Sequence, residues 1–558
     1  MRGVVRVNDF PTVGFLPRTD PKARLANLKA NWILLPCGLC FYLLDAGFSP
    51  SSCVDVLLAM AALFYVIAYM DPIMDVVLRN GFLVHALSAS SALGIAWAKS
   101  VRSLYGHMGV AMRGEVPFQD KLFVWTLAMG AGIGVFFLLE SFWPALWGSL
   151  IQTGIRPSRQ EKRGYAVILL LACGIGCVFH LSTSLAYGTG WPYDMLYQMD
   201  SEYLVRCFSY ASLSDMENGI HQPLSGLFSA PFAGISYLAA ALLGGSHKVI
   251  AVCLVPMQAT AVLAGNILMA SSIGLSGRAR LRYVVVTSCV APFLLFSIFP
   301  EQYAVCFFWM ALLLFFLTRR EEPGALVVTG AVGTMVLSAI LLLFLPGFRE
   351  DLSSDRPAKR AGVRVLRGML GGGFLLVLSL RFSVLSGFTW LLSSRMEFAG
   401  GCDSGFPGQV LQGLMMFRSV LALPASGPDG STFPGAVRWA QLPTEGVSLT
   451  GAVVLVLAVA SCWKVRRSLW ARIALAWTAF AVASTFFIGY GAGENGMLLY
   501  SLYLCWPAFP ALFMLIHVRG LDGRPADAAA ALSCMALLAC NAPGFLKMLR
   551  FGVEYWPA

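Results

Sequence analysis

Long apolar runs, each closed by a short polar or basic stretch, recur along nearly all of the 558 residues. A helix needs roughly 17–25 such residues to cross the hydrocarbon core of a bilayer. Runs of that kind fall at 30–48, 54–71, 81–98, 122–147, 165–186, 249–274, 284–300, 303–318, 370–389, 447–463, 472–489, 498–517 and 527–545. The pattern predicts an all-α integral membrane protein with about 13 transmembrane helices, because helices satisfy their own backbone in lipid. Two further apolar stretches are read differently. Residues 222–245 hold Pro223, Pro231 and several glycines, which weaken a straight span. Counting them as a span would also turn the basic loop 278–282 outward, so an interfacial or re-entrant helix is expected there. Residues 323–347 are expected to form a short hairpin, which keeps the charged loop 349–367 on the cytoplasmic side.

Composition agrees: 58% of residues are hydrophobic, 12% are charged and the mean hydropathy is +0.71. Soluble domains carry about twice that charge fraction. The net charge of +11 could suggest a nucleic-acid partner, but its distribution argues against one. With the N-terminus inside, 28 of the 40 Lys and Arg residues fall in segments assigned to the cytoplasm. That is the positive-inside bias, and it makes the basic residues topology determinants and lipid-headgroup anchors. The first 29 residues carry Arg2, Arg6, Arg18, Lys22, Arg24 and Lys29 ahead of a full-length run, which reads as a retained cytoplasmic end. Most of the 14 cysteines lie inside runs; Cys207 and Cys402 fall in outer loops, where a disulfide between them is conceivable.

The resulting organisation has a basic N-terminus (1–29), an N-terminal four-span module (30–164) and a central region (165–389) with an outer loop at 188–248. A second outer loop (390–446) and the C-terminal spans (447–558) complete it. The location implied is the plasma membrane, with several passes.

Within the first outer loop, residues 193–223 break the apolar pattern. They carry Asp194, Asp200, Glu202, Asp215, Glu217 and His221, six of the chain's 35 acidic or histidine residues. The turn FPEQYA adds Glu301 on the same side, and GYGAGENGM adds Glu494. Arg381 sits within the run 370–389, nearer its outer end. A carboxylate can take the proton of an attacking hydroxyl, and an arginine can hold a phosphate with two hydrogen bonds. An arginine in hydrocarbon costs at least about 2.5 kcal/mol, so it usually has a partner or a task. Bland readings stand beside these: solvated loop charges for Asp200 and Glu202, an interface marker for Glu301, a helix cap for His221 and a snorkelling side chain for Arg381. His180 and Glu140, near span ends, read as satisfying local polar groups.

The run QMDSEY, then IHQPLSGLFSAPF, then SIFPEQYAVCFFWMALLLFFLTRR and finally YGAGENGMLLYSLYLCWPAFPAL resembles bacterial polytopic glycosyltransferases of the GT-C class. The likeness covers roughly 190–320 and 488–512. It implies inverting sugar transfer from a polyprenyl-phosphate donor to a glycan, lipid or protein acceptor at the extracytoplasmic face. By that likeness Asp200 is the general base, with Glu202 its nearest substitute and His221 at a His-Pro-Leu element. Glu301 falls at a Pro-Glu turn, and Glu494 with Tyr500 at a late motif. On physical grounds Arg381 is the candidate for the lipid phosphate. Some members of the class use a divalent metal, and an Asp200/Glu301 pair could hold Mg²⁺ or Mn²⁺. The chain departs from the class in carrying Gln222 between His221 and Pro223, and in placing four spans before the one that leads into this loop.

The rival readings are a polytopic transporter or lipid-linked-glycan flippase, and an O-antigen ligase or polymerase using residues 390–446. Transporters gather ionisable groups near the midplane and often show inverted repeats; here the charges gather at the outer face and no repeat is evident. The orientation is directly testable. A thiol introduced by Asp215→Cys is expected to react with a membrane-impermeant reagent supplied outside, and labelling only from the cytoplasm would reverse the topology.

Overall fold

A computed structural model describes residues 21–46, 67, 73–105, 117–188, 196–197, 199, 201–211, 224–346, 421–423, 426–429, 437–441, 449–488, 502–521 and 523–558. Among these, six helices are long and apolar enough to cross a membrane: Phe118–Gln152, Arg159–Ser182, Ser225–Leu242, His247–Ser272, Gln302–Arg319 and Arg524–Tyr555. Two bent pairs, Pro21–Ala30 with Leu34–Leu44 at 66° and Gly277–Ser288 with Ala291–Ile298 at 78°, raise the number to eight if each is one broken span. The chain is therefore a helical protein with several candidate membrane passes.

The helices track the apolar runs, with instructive differences. The runs at 30–48 and 284–300 are not single straight spans but belong to these bent pairs. Pro292, at the start of the Ala291–Ile298 helix, fits a helix beginning there and not one continuing through. Residues 225–242, expected at the interface, form one helix that meets the length and hydropathy of a span. Residues 323–347 form the helix Ala325–Thr334 and the 3₁₀ segment Val336–Phe344, separated at the extended residue Met335. The described residues are mostly helical, as expected, with one short β element besides. Ser426–Asp429 and Arg438–Gln441 pair as an antiparallel hairpin within the second long loop. A loop strand can bury its backbone groups only by pairing, and this one pairs locally. The runs 54–71 and 370–389 lie, apart from Ile67, outside the described residues.

The chain divides into two compact units interleaved in sequence: Met1–Ile155, Arg206–Leu254 and Glu322–Phe388 form one, and Arg156–Val205, Val255–Glu321 and Thr389–Ala558 the other. In the first unit the Phe82–Tyr105 helix packs against both Phe118–Gln152 and Ser225–Leu242. It is not among the six candidate spans. His85, Lys99, Arg102 and its serines lower its hydropathy, yet Ser88, Ser91, Lys99, Ser100 and Arg102 are all buried. Other helices, not lipid, therefore surround that face. The crossing with Ser225–Leu242 is close because both partners are glycines. A Cβ on Gly94 would collide with the carbonyl of Gly234, and one on Gly234 with the backbone of Ser91. Small residues let helix backbones approach in this way in membranes, and Ser91 Oγ uses the proximity to donate to the Pro231 carbonyl at 2.6 Å.

In the second unit the Arg159–Ser182 helix opens on a capping box. Ser158 Oγ accepts from the Glu161 amide, and the Glu161 carboxylate accepts from the Ser158 amide at 2.8 Å. The same carboxylate is buried, receives Arg280 Nε at 2.7 Å and accepts from Tyr165 Oη at 3.2 Å. Arg280 also donates to Ser271 Oγ at 3.2 Å. One residue thus starts a helix and ties it to the bent pair Gly277–Ser288 and Ala291–Ile298. Arg280→Ala leaves Glu161 buried without its cation, and unfolding in detergent should show a loss of about 3–5 kcal/mol. The double variant Arg280→Ala/Glu161→Ala is expected to recover part of that loss.

Candidate functional site

Glu202 and Glu301, two of the expected carboxylates, belong to the second unit and are brought to neighbouring backbone positions. Ser201 starts the short helix Ser201–Arg206, and its Oγ donates to the Pro300 carbonyl at 2.8 Å. This hydrogen bond links the residue before Glu202 to the residue before Glu301. Both carboxylates are buried, Glu301 completely. The two come from segments about a hundred residues apart, joined by a side chain that carries no charge.

Glu301 has a structural task as well. It is the N-cap of the Gln302–Arg319 helix, and its Oε1 accepts from the Gln302 amide at 3.1 Å. A negative charge there also faces the positive end of the helix dipole. That helix is buried along nearly its whole length, so water cannot cap it and a side chain must.

The turn that presents Glu301 is held from its other side by His180. The imidazole is fully buried, and its Nε2 lies 3.1 Å from the Ile298 carbonyl. A carbonyl only accepts, so Nε2 carries the proton and Nδ1 offers a lone pair. Nδ1 has no hydrogen-bond partner among the described residues. Phe299 packs edge-on against Phe179 at 4.8 Å and against His180 at 5.7 Å. Tyr187 Oη donates to the His180 carbonyl at 3.0 Å, and burial pushes this phenol up to about 12, so it remains a donor throughout the physiological range. His180 therefore does more than satisfy a local group: it fixes the Ile298–Glu301 turn.

The two long loops meet beside this region. Tyr197 adopts φ 54°, a left-handed conformation that costs a non-glycine residue about 1–3 kcal/mol. Three hydrogen bonds hold it. Its amide donates to the Trp439 carbonyl at 3.0 Å, its Oη donates to Ser426 Oγ at 2.8 Å, and Trp439 Nε1 donates to that Oη at 3.0 Å. Burial pushes the Tyr197 phenol up. The hairpin is tied in turn to the end of the chain, where Trp556 Nε1 donates to the Val437 carbonyl at 2.8 Å and the Ser184 amide donates to the Trp556 carbonyl at 2.7 Å. Nothing in the sequence around Tyr197 or Trp439 signals this pairing, since they lie 242 positions apart.

Asp200, His221, Arg381, Glu494 and Tyr500 lie outside the described residues, as does Cys402, the other half of the conceivable disulfide. Among the described residues no group of three His, Cys, Asp or Glu side chains could hold a metal ion. No family model, no curated protein and no solved structure matches the chain.

The docking of the two loops can be measured. A double-mutant cycle of Tyr197→Phe with Ser426→Ala is expected to yield a coupling of about 0.5–1.5 kcal/mol in thermal unfolding. Additivity would mean that the hydroxyl pair contributes nothing to the docking.

Proposed function

We propose that this chain is a membrane glycosyltransferase of the GT-C kind, moving a sugar from a polyprenyl-phosphate donor to an acceptor at the extracytoplasmic face with inversion. The observation that carries this reading is the Ser201–Pro300 hydrogen bond, which gathers the QMDSEY loop and the FPEQYA turn of the resemblance into one place. The docking of Tyr197 on the late hairpin adds support, because a transferase must enclose its donor between loops.

The finer topology, thirteen spans with the N-terminus inside, belongs to the same proposal. Contacts within the second unit agree with it. Arg280 meets Glu161, both in segments assigned to the cytoplasm, and Arg282 approaches Asp527 Oδ1 at 3.5 Å, at the inner end of the run 527–545. Tyr197 meets Trp439, both in loops assigned to the outside, and Ser184, at the outer end of the run 165–186, meets Trp556 beyond the last run.

In this reading the acceptor hydroxyl attacks the anomeric carbon, its proton passes to the Asp200 carboxylate, and the carbon–oxygen bond to phosphate breaks with its electron pair on the leaving phosphate. Glu202 is the nearest substitute base, and His221 belongs to the same loop. Arg381 would neutralise the lipid phosphate, while Glu301, Glu494 and Tyr500 would line the sugar. Hydrogen bonding to Gln302 and to Pro300 pre-sets the turn before any substrate arrives. A transporter or flippase reading keeps one observation in its favour, a fully buried carboxylate at Glu140 in the longest apolar helix described.

The test uses purified protein in lipid nanodiscs with a panel of polyprenyl-phosphate sugars. Asp200→Asn is expected to lower transfer or donor hydrolysis by about 10²–10⁴-fold, the usual worth of a general base. Full activity in that variant, with expression and insertion intact, would sink the assignment of Asp200. Turnover of no donor by the wild-type chain would count against the reading as a whole.

A further inference from the structure

A second ionisable cluster lies in the first unit, and no step of the sugar-transfer reading uses it. Glu140 sits in the Phe118–Gln152 helix and is fully buried. Its Oε2 accepts from Asn80 Nδ2 at 2.7 Å and lies 3.0 Å from His85 Nδ1. The same Asn80 amide also reaches the Glu140 backbone carbonyl at 2.8 Å. Glu140 Oε1 has no hydrogen-bond partner among the described residues. The His85 side chain, by contrast, is 39% exposed. It stands in the first turn of the Phe82–Tyr105 helix, at the end of an apolar segment.

The charge balance of this cluster can be counted. With an ionised Glu140 and a neutral His85 the cluster would carry a bare negative charge inside a helix bundle, which burial strongly disfavours. One more proton, on either the imidazole or the carboxyl, makes the pair neutral overall. Among the described residues His85 is the basic group recorded within ion-pair distance of Glu140. Lys99 and Arg102 share the His85 helix but lie 14 and more residues further on, about 20 Å away at 1.5 Å per residue. Lys99 lies over the Phe41 ring, and Arg102 donates to the Cys207 carbonyl. The Ile73–Arg79 helix turns Asp75 and Arg79 outward. From Leu34–Ala46, Cys37 and Cys40 face Gly134 and Gly130, and Ala325–Thr334 brings no ionisable group.

The donor chemistry also selects the ligand. Asn80 presents its NH₂ to the carboxylate, and an amide nitrogen is a hydrogen-bond donor, not a metal ligand. A hard cation would need several oxygens, and one carboxylate does not supply them. We propose that Glu140 and His85 form an exchangeable proton-binding site, filled through the half-exposed imidazole, whose proton holds the Asn80, His85 and Glu140 segments together. This does not rest on the glycosyltransferase reading, and it gives the N-terminal module a task of its own.

Dicyclohexylcarbodiimide adds across a protonated carboxyl in apolar surroundings and leaves an acylurea, so it reports where the proton sits. In the full chain in nanodiscs, mass spectrometry should find the adduct on Glu140, with a yield that falls as pH rises. In His85→Gln the proton can reside only on the carboxyl, so the yield at neutral pH should rise several-fold; in Glu140→Gln the adduct should vanish. Hydrogen exchange over residues 80–88, corrected for the chemical rate, should lose protection with rising pH in the wild type and not in the isosteric Glu140→Gln. Equal labelling with and without His85, or wild-type protection that ignores pH, overturns the proposal.

Discussion

Hydrocarbon offers no hydrogen bonds, and that single constraint organises the rest of this structure. Backbone polar groups must be satisfied within each helix, and a polar side chain drawn below the surface is costly without a partner. Glu161 meets that demand in full. It starts its helix, accepts from Tyr165 and receives Arg280, so one carboxylate has all its surroundings accounted for. Ser91 answers the same demand with an opposing carbonyl, and the glycine crossing beside it brings that carbonyl within reach. Polar residues therefore act as fasteners between helices that would otherwise slide on one another.

The same constraint explains why a carboxylate stands at the Ile298–Glu301 turn. Glu301 caps a helix with almost no exposed residue, and a cap in that position has to be a side chain. Once a carboxylate is needed there for structural reasons, a neighbouring loop can recruit the same turn for function. The Ser201 hydrogen bond to Pro300 and the His180 hydrogen bond to Ile298 grip the turn from two directions. Rigidity of that kind is what the proposed group transfer would need, since a misplaced group loses its reach.

Much of the helical architecture is legible in the chain. The apolar runs are read from the chain, and the Ser158–Glu161 capping box and Pro292 at a helix start are local features of the same kind that the structure brought out. The places where the reading departs from the structure have physical causes. The Phe82–Tyr105 helix is polar for a span because neighbouring helices cover it, and hydropathy cannot tell a helix in lipid from one inside a bundle. The hairpin at Ser426–Asp429 and Arg438–Gln441 has glycine and proline in its first strand, which argue against β structure; pairing overrode that weak propensity. His180 and Glu140 read as ordinary polar residues near span ends, and only their burial and neighbours set them apart.

By itself the sequence determined the class of molecule, the approximate extent of its helices, and the two segments that bring Glu202 and Glu301. Those features arise from hydrophobic length, charge bias and short-range spacing, all of which are local. Tertiary structure alone decided that Ser201 would meet Pro300, that Tyr197 would meet Trp439, and that Asn80 and His85 would converge on Glu140. Contacts between residues 55 to 242 positions apart depend on how whole helices and loops pack, and packing is a sum of many weak interactions that no short stretch of sequence contains.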